Sequence, residues 1–256
     1  MSNQIIGIHD WVQTPAGRYL LDWERTHVDA AVADIFGYHA LQLGLPELDG
    51  LQANRMPHQW LATETLYVPD DRVVKQAAVL CDFSALPFAP ASLDLVILPH
   101  TLEFSADPHA TLREVERVLV PEGRVVICGF NPASLWGLQQ RRGHLYRRMG
   151  FGRLFLPNAG DFIGYWRLCD WLRLLSFEVE VGKFGCYRPG VTSDAWLRRF
   201  EWMDHAGARW WPILGAAYFL VAVKRVRGMR LLGPAWKTAP VGAGKPVSVA
   251  NRTHNH

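Results

Sequence analysis

The sequence predicts an α/β fold built on a parallel sheet, and three observations carry that prediction. The first is a set of short apolar runs at residues 77–81, 93–98 and 124–128, the last rich in β-branched side chains. The second is a helix between the latter two. Asp107-Pro108 supplies an N-cap oxygen and a proline at the first helical position. Leu112, Val115, Val118 and Leu119 then recur on one helical face. The third is Pro121-Glu122-Gly123, which stops the helix before the next run. Two apolar runs joined through a helix make a right-handed crossover between parallel strands.

The same stretch carries an ordered set of motifs. Asp82 ends one run and Leu86-Pro87-Phe88 follows; residues 94–96 read D-L-V, residues 100–103 read H-T-L-E, and residues 117–123 close the helix with R-V-L-V-P-E-G. This set resembles the central block of class I S-adenosylmethionine-dependent methyltransferases, and most closely their type 11 domain. With weaker flanking matches the resemblance covers roughly residues 38–226. It implies a Rossmann-like, seven-stranded, mostly parallel sheet with helices on both faces and an antiparallel last strand. It also implies S-adenosyl-L-methionine as cofactor. Glu122 departs from the family, which has glycine there.

Composition bounds the rest. At 256 residues and 49% hydrophobic, the chain can bury a full core in one domain with room for an elaboration. A net charge of +3 does not by itself call for nucleic acid, and none is expected as a partner. The four cysteines, Cys81, Cys128, Cys169 and Cys186, form no CxxC pair and read as reduced structural thiols of a cytoplasmic protein. No basic segment followed by an apolar run opens the chain, so no secretion signal is expected. The longest apolar run, residues 210–223, is too short for a membrane span and reads as a turn followed by a buried strand at 217–223.

In chain order, residues 1–37 form an N-terminal helical segment, started by Thr14-Pro15 and ended by Gly37. Residues 38–232 form the methyltransferase-like domain, and 233–256 a disordered tail. The first strand, 38–45, leads into a turn that the family builds as acid-x-Gly-x-Gly-x-Gly. Here Gln42 stands at the acid, Gly44 keeps the first glycine, and Pro46 takes the second. A glycine lets backbone approach the cofactor because it has no Cβ. Pro46 suits the first position of a helix over 46–54, whose N-terminus would face the ligand. Gln42 can donate and accept toward the cofactor's amino-acid end. The other reading is that the turn has lost ligand binding and merely connects strand to helix.

Residues 59–63 form the second strand. Glu64 follows Gly44 at the spacing of a ribose-binding acid, or is a solvated loop glutamate. The resemblance assigns Asp82 to the adenine amino group, with the Phe83 backbone beside the ring; a turn aspartate capping its own loop is the alternative. Pro99 and His100 follow the fourth strand, where the family lines the site near the transferring methyl. His100 is either a base or a group that positions others. Glu103 and Asp107 anchor the loop and cap the helix.

Residues 134–160 form a basic lid, with Arg141, Arg142, Arg147, Arg148 and Arg153 interleaved with Trp136, Tyr146, Phe151 and Phe155. It lies over the site mouth in this fold, so it favours an anionic or lipid-like acceptor, or is a solvated face. Further on, a helix is expected at 162–172, a strand at 177–181, a helix at 196–203 and the last strand at 217–226. No metal-ligand cluster, phosphate loop or GxSxG elbow is present. The sequence thus points to a methyltransferase for a small molecule. Two rivals are a catalytically silent binding or regulatory module, which the altered turn favours, and a nicotinamide oxidoreductase, which lacks its GxGxxG.

Overall fold

Thr14 starts the first long helix as the sequence requires: its Oγ1 accepts the Gly17 N–H at 3.1 Å, with Pro15 in the first turn. In the computed structural model, residues 7–65, 78–148, 155–157, 162–191 and 193–225 are described, those from 144 to 148 by backbone only. The tail expected from 233, the turn expected at 68–71 and part of the basic segment lie outside the described residues. A short helix α1 (Ile8–Val12) precedes α2 (Pro15–Val32). α2 buries Leu20, Leu21, Val28 and Val32 and ends five residues before Gly37. Gly37 instead lies against Asp94, whose Oδ2 accepts the N–H groups of Tyr38 and His39 at 2.8 and 3.0 Å. That carboxylate pins the entry of the first strand.

Seven strands form one sheet in the order β3-β2-β1-β4-β5-β7-β6. They are β1 (His39–Leu43), β2 (His58–Thr63), β3 (Val79–Leu80), β4 (Leu93–Pro99), β5 (Leu119–Phe130), β6 (Phe177–Gly185) and β7 (Ala217–Lys224). The first five are parallel neighbours, and β7 runs antiparallel to both β5 and β6. The Rossmann-like sheet with an antiparallel last strand is therefore the observed fold.

Alternate residues of β4 feed two cores. Leu95 and Ile97 pack with α1 and α2 on one face, while Val96 and Leu98 pack with helical residues Leu112, Val115 and Leu168 on the other. Both faces are covered, as a parallel sheet demands. The helix read from Asp107-Pro108 is α4 (Pro108–Val118), with Asp107 Oδ1 accepting the Ala110 N–H at 2.9 Å; a one-turn helix α3 (Thr101–Phe104) precedes it. Glu122, in place of the family's glycine, takes φ +64°.

Beyond β5 come α5 (Leu135–Arg148), α6 (Tyr165–Leu174), α7 (Asp194–Arg199) and α8 (Trp202–Trp210), then a 3₁₀ turn at Pro212–Leu214. The single helix expected at 196–203 is thus two helices, broken at Phe200. Among the described residues no helix is long and apolar enough to cross a membrane. All four cysteines are free, three of them buried.

One expected element is absent. Residues 46–54 form no helix; bonds such as Leu48 N–H to Leu45 O (3.2 Å) and Gln52 N–H to Asp49 O (3.1 Å) build successive turns. Gly44 (φ +77°), Leu45 (+41°) and Asp49 (+42°) lie in the left-handed region, which a right-handed helix does not admit. No helix N-terminus is therefore presented to a ligand there.

Candidate active site

The carboxyl ends of β1, β2 and β4 open into one cavity of about 220 Å³. Open α/β sheets bind ligands at this end because the strand tips and their loops leave a crevice there. Gly44, Thr63, Glu64, Phe83, Pro99 and His100 line it, and Ile8 and His9 of α1 wall it from the N-terminal side. The volume is below the roughly 300–1,000 Å³ of clefts that enclose a drug-sized ligand. A ligand here therefore keeps part of its surface outside the described walls.

Gly44 comes closest to the expected geometry. At φ +77° its backbone suits glycine, and a Cβ there would meet Phe83 and Thr101 only at ordinary contact distance, 3.8 Å. Thr101 Oγ1 donates to the Leu43 carbonyl at 2.5 Å and ties the end of β1 to the loop after β4.

Gln42 does not face the cavity. Its side chain is buried, with Nε2 donating to the carbonyls of Gly44 (3.0 Å) and Leu45 (2.9 Å) and Oε1 accepting from Gly50 N–H (2.8 Å). Both amide donors and the acceptor are spent on the chain's own turn, which corrects the expectation that Gln42 binds cofactor. Gly50 allows this closure, since a Cβ would come within 3.3 Å of Gln42 Oε1 and 3.1 Å of Val28.

Glu64 sits one residue past β2, exposed at the cavity wall, and Oε1 accepts the Phe83 N–H at 3.4 Å. Beside it the Thr63 hydroxyl is buried without a hydrogen-bond partner and lines the same cavity. A buried, unpaired hydroxyl is costly and calls for an explanation such as a ligand. Asp82 is exposed and is not among the lining residues; its Oδ1 accepts both Ser84 N–H and Ser84 Oγ–H at 2.7 Å. Those two bonds hold its carboxyl below the usual range. Asp82 thus caps its own loop, and Phe83, buried behind it, supplies the wall.

His100 is corrected most sharply. It is 1% exposed and stands at φ +56°, with Nδ1 donating to Glu103 Oε2 and Nε2 to Glu24 Oε1, both at 2.8 Å. Burial opposes its charge, but the two carboxylates prevail and push its pKa up to about 10. With both nitrogens donating, it has no lone pair with which to take a proton. Glu103 is itself raised by burial, against the pull of His100, and its Oε1 accepts the Phe130 N–H at 2.5 Å.

Sequence reasoning missed Glu24, since a glutamate inside an exposed-looking helical stretch carries no signal of burial. It also missed His9, whose Nδ1 lies 2.8 Å from Glu47 Oε1 across 38 residues of chain. Among the described residues, no group of three or more His, Cys, Asp or Glu is placed to hold a metal ion.

This sheet order and a cavity at the tips of β1, β2 and β4 define a class I methyltransferase fold. Residues 59–127 match the family model described as a methyltransferase domain. The chain is 32% identical over 220 residues to the uncharacterized protein YafS of Escherichia coli (strain K12), spanning 84% of this chain and 80% of that one. Among solved structures it is similar to a methyltransferase from Haloferax volcanii, determined in complex with the Trm112 methyltransferase activator. There the TM-score is 0.55 at 16% identity, over 85% of this chain and 96% of that one. It is also similar to a SAM-dependent methyltransferase from Archaeoglobus fulgidus, with TM-score 0.54 at 16% identity over 80% and 94%. Those two likenesses establish the fold.

The chain belongs to the class I S-adenosylmethionine-dependent methyltransferase family. The chain also belongs to the same family as YafS.

Proposed function

We propose that the protein is cytoplasmic, that the cavity takes S-adenosylmethionine with its ribose toward Glu64, and that the methyl passes to a small-molecule acceptor. One observation carries this reading: an orphaned buried hydroxyl, Thr63, and a carboxylate, Glu64, stand beside the Phe83 ring at strand tips where Gly44 leaves the backbone open. A vicinal diol suits the carboxylate, a purine suits the aromatic wall, and the glycine admits close backbone approach. The cofactor, when bound, supplies a methyl already activated by the sulfonium, so the protein's part is to align the acceptor and exclude water. Pro99 and His100 close the wall at the end of β4. Of the two lining histidines, His9 rather than His100 is placed to meet an acceptor, since its side chain is 30% exposed and oriented by Glu47. Free, largely buried thiols agree with a reducing compartment.

Calorimetry with S-adenosylhomocysteine tests the cofactor assignment. The wild-type chain should bind, and Glu64→Ala should bind more weakly by about 1–3 kcal/mol, the loss of a hydrogen bond to a charged acceptor. Asp82→Ala should leave affinity nearly unchanged; an equal loss would extend the site to Asp82. No binding by the wild-type chain would remove this reading and leave a silent module on the same scaffold.

A further inference from the structure

Two long stretches of the chain contain no Asp or Glu: residues 123–160 and 205–256. The fold lays the described parts of these stretches side by side. β5 and β7 pair from Arg124↔Val223 to Phe130↔Ala217. Just beyond, Asn131 Nδ2 donates to the carbonyls of Ile213 and Gly215 at 2.8 and 2.9 Å. Asn131, in the loop that leads from β5 into α5, is thus tied to the 3₁₀ turn at the end of the sheet where Leu43, Thr63 and Pro99 finish, the end that holds the cavity.

The exposed side chains on α5, at the end of α8 and on the 3₁₀ turn are apolar and basic. Leu135 is 50% exposed, Leu138 54%, Trp210 74%, Ile213 55% and Leu214 42%. Exposed large apolar side chains gathered on one surface mark an interaction site, whereas single ones do not. Arg141, Arg142 and Arg209 are exposed beside them, and neither Arg141 nor Arg209 has a carboxylate partner among the described residues. Tryptophan and arginine settle at the headgroup level of a bilayer while leucine and isoleucine enter the acyl boundary, and anionic headgroups attract unpaired cations. A nucleic acid would engage the arginines and tryptophan but leave four aliphatic side chains in water. A bilayer uses all of them.

We infer that this surface docks the protein peripherally on an anionic lipid bilayer. If the cavity is the cofactor site proposed above, on which this consequence rests, docking brings that end of the sheet to the membrane and the acceptor is a molecule dissolved in it.

Co-sedimentation of the full-length chain with vesicles of phosphatidylglycerol and phosphatidylcholine tests the inference. Binding should fall at least tenfold when phosphatidylglycerol is omitted. It should fall similarly in the double variants Leu135→Ser/Leu138→Ser and Arg141→Glu/Arg209→Glu. Both variants should keep wild-type affinity for S-adenosylhomocysteine by calorimetry, which also reports that they are folded. Absence of vesicle binding by the wild-type chain, or wild-type binding by both variants, would overturn the docking surface whatever the cavity binds. So would tight binding of a single-stranded oligonucleotide that the arginine variant loses and the leucine variant keeps, which would mark a nucleic-acid face. Failure of the wild-type chain to bind S-adenosylhomocysteine with vesicle binding intact would remove the cavity reading alone.

Discussion

Gln42 occupies the position where related enzymes carry an acid, and its role here follows from being an amide. Its two N–H groups satisfy two carbonyls and its oxygen satisfies one N–H, a set of partners no carboxylate can serve. Restoring the family's residue with Gln42→Glu should therefore weaken the protein. An ionised side chain would face the carbonyls of Gly44 and Leu45 with nothing to donate, a buried mismatch of about 1–3 kcal/mol. Urea unfolding measures the loss, and a variant as stable as the wild type would mean the side chain has turned toward the cavity. The turn motif was legible as altered from the sequence. Where the altered residue points was not, because a glutamine serves a ligand and its own backbone with the same atoms.

Between residues and whole fold, the Glu24–His100–Glu103 cluster joins α2 to the loop after β4. All three side chains are almost completely buried, and Glu24 Oε2 has no partner. Removing one member of a buried charged pair leaves the other uncompensated and costs about 3–5 kcal/mol. Glu24→Ala should lower stability by that order in chemical denaturation, and Glu24→Gln, which keeps an acceptor for His100, by less. Equal, small effects would place α2 on the sheet through Leu20, Val28 and Val32 alone. The turns at 46–54 teach a related lesson at this scale. Leu45, Leu48 and Leu51 are spaced like a helical face and are all buried, yet Asp49 at φ +42° and the Gln42 clamp on Gly50 fold them as stacked turns. Periodicity reports which residues go inside, and stacked turns bury every third residue as a helix does.

For the molecule as a whole, the buried imidazolium sets an alkaline limit. His100 has a folded pKa of about 10 against about 6.5 unfolded. A raised pKa means the folded state holds its proton more tightly, so this stabilisation is complete below about pH 6.5 and is lost as pH rises toward 10. The melting temperature should fall between pH 6.5 and 7.5, before unfolded thiols ionise appreciably. Nitrogen-15 spectra should keep the His100 ring in its imidazolium form at pH 8. A flat melting profile together with a neutral ring at pH 8 would show that the carboxylates do not hold the charge.

The sequence by itself determined the crossover at the centre of the sheet, the capped helices at Thr14-Pro15 and Asp107-Pro108, and the family. These features rest on local signals: a cap oxygen three residues from its N–H, a proline that suits only the first turn, and apolar periods of 3.6. Tertiary structure alone decided which side chains meet. Glu24 and His100 are 76 residues apart in the chain, and His9 and Glu47 are 38 apart. Whether a polar group faces a ligand, a neighbour or water depends on packing across such distances, which no local pattern encodes.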